Sequence, residues 1–331
     1  MSEQVIPKER LKINGAVYEH VKDRLAGGKI FRAEDGGSYL RIGDPQLTAE
    51  EHIHQVSLKN RGYPVSDVLS HGKHNEQYYY VEESLGEKPF GIQFGEEFRS
   101  DGKISDQTFG RYLSIMRQYT SAVFNPANHR HAKTDIRQIA LLPYTTYQYN
   151  LDQARMDRLF TRAQDRTNQL PIVEIHEDLG PFNVMDRGVI DFETVQNKDS
   201  TQNTSRFGPM GFDVVAGPVT GYYFPKVDGY FHKTLYEFSD EQLASIGDMV
   251  SDTAQECGVK DPREYTQEFL LMRTVWAAAR NIGYETKKYD DPEQERFWSE
   301  FRANILHHVL DAYESEELID PRNFPDIGAE R

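Results

Sequence analysis

The spacing of apolar positions changes character along this chain. Between about residues 29 and 83 they come in short bursts broken by polar residues. Lys29-Ile30-Phe31-Arg32 and Ser38-Tyr39-Leu40-Arg41-Ile42 flank Glu34-Asp35-Gly36-Gly37, and Gln77 to Glu83 reads QYYYVEE. Short alternating runs around a glycine-containing turn predict antiparallel strands. One helix interrupts them. Thr48 offers a capping hydroxyl, Glu50 and Glu51 fall in the first turn, and Glu51 has the capping-box spacing, so a helix is expected from there to about Asn60, ending at Arg61-Gly62. Residues 1–20 are expected to be a polar lead-in.

Beyond Gly86 the period lengthens. Gly86 to Gly102 is glycine-rich and charged, and no element is expected in it. Tyr112, Met116, Tyr119 and Val123 recur at helical spacing within a helix from about Asp106 to Phe124. Further helices are predicted near 150–168, 239–256, 262–282 and 292–313, the last with an apolar face of Phe297, Phe301, Ile305 and Val309. The acidic tail after Glu314, with Pro321 and Pro325, is expected at the surface. Strands followed by helices predict an α+β fold of two lobes, with the connection near residues 84–89. Residues 1–88 form the expected N-lobe and 89–331 the expected C-lobe.

Composition removes several function classes. The chain has 331 residues and a net charge of −15, which disfavours nucleic acid as a partner and suits a cationic small molecule. Its single cysteine, Cys257, excludes an intrachain disulfide and a cysteine-built zinc site. No apolar run approaches a membrane span, and the N-terminus has no apolar core, so a cytoplasmic monomer or dimer without a membrane partner is expected. Neither a P-loop motif nor a Gly-x-Ser-x-Gly elbow occurs. His52/His54 and His307-His308 lack the helical spacing of a metal pair.

The candidate chemistry lies in His176-Glu177-Asp178-Leu179-Gly180-Pro181-Phe182-Asn183, followed by Val189-Ile190-Asp191-Phe192-Glu193. Asn183-Val184-Met185 and Val189-Ile190-Asp191 can pair across the turn Asp186-Arg187-Gly188, which brings Asn183 and Asp191 together, with Asp178 facing them from the preceding loop. Phosphoryl transfer needs such a set: hard oxygen ligands for magnesium, a role Asn183 and Asp191 fit, and a carboxylate to orient and deprotonate the attacking hydroxyl, a role Asp178 fits; the assignment follows the loop logic known for protein kinases.

This segment resembles the catalytic loop and metal-binding segment of the aminoglycoside phosphotransferase and choline kinase group, the small-molecule branch of the protein-kinase-like fold. There His-x-Asp-x-x-x-x-Asn precedes an apolar-Asp-aromatic-acidic segment. Upstream pieces follow the same order over residues 22–216. Gly27-Gly28 resembles the nucleotide-covering loop, and Tyr39-Leu40-Arg41 resembles the strand whose basic residue meets the phosphates. The resemblance implies that Glu51, or its neighbour Glu50, pairs with Arg41. It implies that the backbone of the hinge, Glu83-Ser84-Leu85, meets the base edge. His176 and Asp213, the latter in Gly211-Phe212-Asp213, would brace the catalytic loop, and Glu193 would contact metal or acceptor. Glu177 departs from the family, filling a position often taken by glycine or asparagine. The implied activity is transfer of the γ-phosphate of ATP or GTP, with Mg2+, to a hydroxyl of an aminoglycoside, a choline-like amine or a sugar. Two competing readings are a protein kinase, which expects Asp-Phe-Gly where this chain has Asp191-Phe192-Glu193, and a kinase-like scaffold without catalysis.

Overall fold

The computed structural model describes residues 9–24, 28–130, 133–192, 207–223, 226–228, 231–233, 235–285 and 292–324. The N-lobe is an antiparallel sheet of β1 (Arg10–Ile13), β2 (Ala16–Asp23), β3 (Lys29–Ala33), β4 (Ser38–Gly43), β5 (Val68–His74) and β6 (Gln77–Glu83), in the order β1-β2-β3-β4-β6-β5. One face of it buries Ile13, Tyr18, Phe31, Leu40, Ile42 and Val81. The strands at 29–33, 38–43 and 77–83 lie where alternation predicts them. The polar lead-in does not hold: residues 10–23 form two strands. Asn14 and Gly15 both have positive φ, 50° and 87°, and this Asn-Gly turn closes the first hairpin.

Helix α1 (Pro45–Asn60) crosses between β4 and β5. Its cap is Asp44, whose carboxylate accepts from the Gln46 and Leu47 amides, rather than Thr48. Pro45, with no N–H to satisfy and φ preset, starts the helix a turn earlier than expected, leaving Thr48 buried inside it.

The C-lobe begins with α2 (Phe90–Asp101), in the stretch where no element was expected. Phe90, Gly91, Phe94 and Gly95 give it a buried face at i, i+4 spacing, and Gly102 ends it in the left-handed conformation. Helix α3 (Asp106–Phe124) has its expected bounds, capped by Ser105, with Tyr112, Met116, Tyr119 and Val123 buried. Short helices α4 (Ile136–Ile139) and α5 (Leu142–Gln148), neither expected, precede α6 (Gln153–Thr167). Next come β7 (Ile172–Glu174), the two-residue strands β8 (Val184–Met185) and β9 (Gly188–Val189), and β10 (Phe207–Pro209), which pairs with β7. Helices α7 (Ala216–Tyr223), α8 (Asp240–Cys257), α9 (Thr266–Glu285) and α10 (Pro292–Glu314) complete the lobe. A 3-10 turn at Pro262–Tyr265 delays α9 by four residues from the expected start. Leu270, Leu271, Met272, Val275 and Trp276 bury α9 against α5 and α10 at the lobe's centre. No helix among the described residues is long and apolar enough to cross a membrane.

Candidate active site

The β8–β9 hairpin is the pivot. Val184 and Met185 pair with Val189 and Gly188, and the Ile190 amide donates to the Asn183 carbonyl over 2.9 Å, as the turn at Asp186-Arg187-Gly188 predicts. The hairpin is also tied to the N-lobe. The Val189 amide donates to the Pro64 carbonyl over 2.7 Å, and Val65 bridges Val189 in parallel. Only glycine fits at 188, where a Cβ would stand 2.1 Å from the Pro64 carbonyl oxygen. This docking carries Asp191, in a left-handed conformation with φ 57°, to the underside of β4. There Arg41 donates to Asp191 Oδ1 over 3.1 Å and, through Nε, to Glu82 Oε1 over 2.5 Å. Lys22 Nζ stands 3.7 Å from Asp191 Oδ2. Burial opposes charge at both Asp191 and Arg41, but their partners prevail: the Asp191 carboxyl is held below its usual range by Arg41 and Lys22, and the Arg41 guanidinium is held charged by Glu82 and Asp191.

The expected pairing of Glu51 with Arg41 is corrected. Glu51 holds Arg24 over 2.5 Å, at the root of the loop before β3, while Gln46 donates to Glu50. The acid beside Arg41 comes from the neighbouring strand instead, because Glu82 on β6 lies across from β4. Ser66 steadies Glu82 through its Oε2 over 2.7 Å, and Gln55 of α1 donates to Ser66. At the loop root the Arg24 amide donates to the Gly28 carbonyl over 2.7 Å. Gly27 and Glu193 lie outside the described residues.

The loop that carries Asp178 is held from below by Asp213. Its Oδ2 accepts from the His176 amide over 2.7 Å and from the Tyr119 hydroxyl over 2.6 Å, and its Oδ1 accepts from the Glu177 amide over 3.1 Å. Burial pushes the Asp213 carboxyl above the usual carboxylate value, against the pull of His176, Tyr119 and Arg273. His176 Nδ1 accepts from the Asp178 amide over 3.3 Å, so its proton sits on Nε2, which meets the Ile190 carbonyl at 2.8 Å. The imidazole thus joins loop to hairpin and is itself buried. Glu177 has φ 65°, in the left-handed region that glycine and asparagine enter most readily.

Asn183 donates through Nδ2 to the Asp178 carbonyl over 2.7 Å, so its amide oxygen faces away from that bond. Asn183 and Asp191 therefore offer one amide oxygen and one carboxylate, a donor set that suits magnesium completed by phosphate and water. No cluster of three or more His, Cys, Asp or Glu able to hold a metal occurs among the described residues. Asp178 is 42% exposed at its side chain, and its Oδ1 accepts from Arg273 over 3.2 Å. Arg273 is absent from the sequence-based set. Its one signal was a lone cation inside the apolar run LLMRTVWAAA.

At the hinge, the Glu83 amide is committed to Asp67 and the Ser84 amide to Gly37. The Ser84 carbonyl and the Glu83 carboxylate take the Arg187 guanidinium, and the Leu85 carbonyl takes the Arg187 amide. Of the expected base-edge groups, the Leu85 amide carries no such bond among the described residues.

No protein-family model matches the chain, and no curated protein matches it in sequence. Solved structures do match. A candidate aminoglycoside phosphotransferase from Ralstonia eutropha JMP134 aligns over 94% of this chain and 94% of its own, at 13% identity and a TM-score of 0.53. A choline/ethanolamine kinase family protein from Mesorhizobium loti aligns over 90% of this chain and 92% of its own, at 12% identity and a TM-score of 0.52. The fold of this chain is the two-lobed kinase-like fold of such small-molecule kinases.

Proposed function

We propose that this protein is a phosphotransferase of the aminoglycoside phosphotransferase and choline kinase group, moving the γ-phosphate of ATP or GTP to a hydroxyl of a small molecule. The observation that carries the reading is the grouping of Asp178, Asn183 and Asp191 around the β8–β9 hairpin, with Arg41 reaching Asp191 from the facing lobe. In this reading the nucleotide lies between the lobes, its base against the Leu85 amide and its phosphates toward Arg41. Asn183 and Asp191 would hold Mg2+, which would neutralise phosphate charge. Asp178 orients the acceptor hydroxyl and takes its proton as the oxygen bonds to the γ-phosphorus and the bond to the nucleoside diphosphate breaks. The acceptor is an aminoglycoside, a choline-like amine or a sugar, bound on the C-lobe side of Asp178, with Glu193 as a further contact to metal or acceptor.

The test is a panel of such acceptors with MgATP and MgGTP, followed as nucleoside diphosphate release. Asp178→Asn is expected to lower turnover by at least about a hundredfold, while binding of the magnesium nucleotide stays near that of the wild type. Unchanged turnover in that variant would falsify the assignment.

A further inference from the structure

Arg273 sits in the apolar interior of α9 with its side chain 1% exposed. A buried guanidinium is expensive, and charge partners and hydrogen bonds must offset the lost hydration. Three contacts do so. One terminal nitrogen donates to Asp178 Oδ1 over 3.2 Å, the other donates to the Glu177 carbonyl, and the guanidinium lies 4.0 Å from the centre of the Trp276 ring. Its Nε has no hydrogen-bond partner among the described residues. Both hydrogen-bond acceptors belong to the catalytic loop, 96 and 95 positions away in the chain.

The grip falls at the strained point of the loop. Glu177 is left-handed, with φ 65°, a conformation that costs a residue bearing Cβ and persists only where its surroundings enforce it. The amide before its Cα is held by Asp213 Oδ1, and the carbonyl after it is held by Arg273. Both peptide groups flanking the Glu177 Cα are therefore held, the second of them leading into Asp178.

We propose that Arg273 is a positioning residue for Asp178, an inference that rests on the phosphotransferase reading above. The guanidinium fork fixes the Glu177 carbonyl and one carboxylate oxygen of Asp178, leaving Oδ2 to meet the acceptor hydroxyl. A lysine at this position supplies the charge without the planar fork, so it can serve one acceptor well but not both.

The experiment measures nucleoside diphosphate release from MgATP or MgGTP, whichever the wild-type protein turns over, together with binding of a non-hydrolysable magnesium-nucleotide analogue. Arg273→Met is expected to lower kcat by roughly thirtyfold or more with KM for the nucleotide within about threefold, and Arg273→Lys to recover part of the loss. Placed on Asp178→Asn, Arg273→Met is expected to add less than about twofold, because the arginine acts through that carboxylate. A wild-type kcat in Arg273→Met, a rise in KM alone, or a fully additive loss on Asp178→Asn would each overturn the inference. If Arg273→Met does not fold, Arg273→Lys decides: kcat below about one third of wild type supports the inference and kcat above it overturns it. A wild-type protein that neither releases diphosphate nor binds the analogue overturns the phosphotransferase reading and this inference with it. An active wild type with indifferent Arg273 variants overturns this inference alone.

Discussion

Tyr119 shows how one buried hydroxyl supports the loop. It is the hydroxyl donor to Asp213, whose carboxylate in turn holds two successive amides of the loop before Asp178. Replacing it with phenylalanine keeps the ring packing and removes a hydrogen bond to a carboxylate, a loss of about 1.5–3 kcal/mol. The pH dependence has a definite sign. Burial raises the Asp213 pKa above the ordinary aspartate value of 3.8, so between 3.8 and the folded value the native state carries a proton that the unfolded chain has released. Stability from this group therefore falls as pH rises through that window. Tyr119 pulls the Asp213 pKa down, so Tyr119→Phe pushes it further up. The deficit of the variant should be smallest below pH 3.8 and largest above the folded pKa, read as the difference between urea midpoints across that range. A deficit that shrinks with rising pH would contradict the proposed role of Asp213. At this scale the sequence was most informative where chemistry and chain proximity coincide. Asp178, Asn183 and Asp191 fall within one short segment, and local turn rules suffice to bring them together. Arg273 and Glu82 reach the same site from distant parts of the chain; the lone cation in its apolar run marks Arg273 as unusual but does not tell its partner, and Glu82 has no local mark at all. Glu51 was misassigned because helix position alone cannot tell Arg24 from Arg41 as its partner.

Elements were legible where amphipathic spacing was clear. Helix α3 was predicted from the stripe of Tyr112, Met116, Tyr119 and Val123, all of them buried, and the Ser105 cap agrees with it. Helix α2 was hidden because Gly91 and Gly95 on its buried face look like loop residues, although a Cβ at 91 would stand 2.7 Å from the Phe182 ring. Gly91 allows α2 to approach the turn that carries Asn183, and Gly95 faces Leu235. The first hairpin was hidden by its exposed, polar strand residues, despite the Asn14-Gly15 turn. Helix α1 starts at the Asp44–Pro45 pair, and its cap is directly testable. Asp44 accepts from two amides over 3.0 Å each. Asp44→Ala should cost about 1 kcal/mol, and Asp44→Asn should be nearly neutral, because asparagine caps as well as aspartate. Chemical denaturation of the two variants checks this. An equal loss in both would point to the charge of Asp44 rather than its capping geometry.

Across the whole molecule, polar ties join the lobes beside an apolar contact in which Leu58, Tyr63 and Val65 enter the C-lobe core. Arg41 reaches Asp191, Arg187 reaches the hinge, Arg61 pairs with Glu174, and Asn128 donates to the Arg61 carbonyl. The hairpin is also tied through backbone at Leu85 and at Pro64, and Gly188 permits the tie at Pro64. Alanine at 188 cannot keep the contact, since its Cβ would fall 2.1 Å from the Pro64 oxygen and the nearest Leu85 methyl would stand at 3.1 Å. The hairpin must move away from Pro64, which breaks the Val189 hydrogen bond and draws Asp191 from Arg41. Overpacking of this kind typically costs about 1–3 kcal/mol. Asp178 and its supports at Asp213 and Arg273 lie on the C-lobe side of that break. Gly188→Ala should therefore raise KM for the magnesium nucleotide by about tenfold or more while kcat at saturation falls much less. That pattern is the reverse of the one expected for Arg273→Met. Urea unfolding and a nucleotide titration of turnover measure both parts, and a variant with wild-type nucleotide affinity would show that joining the two lobes at Pro64 is not what brings Asp191 to the phosphates.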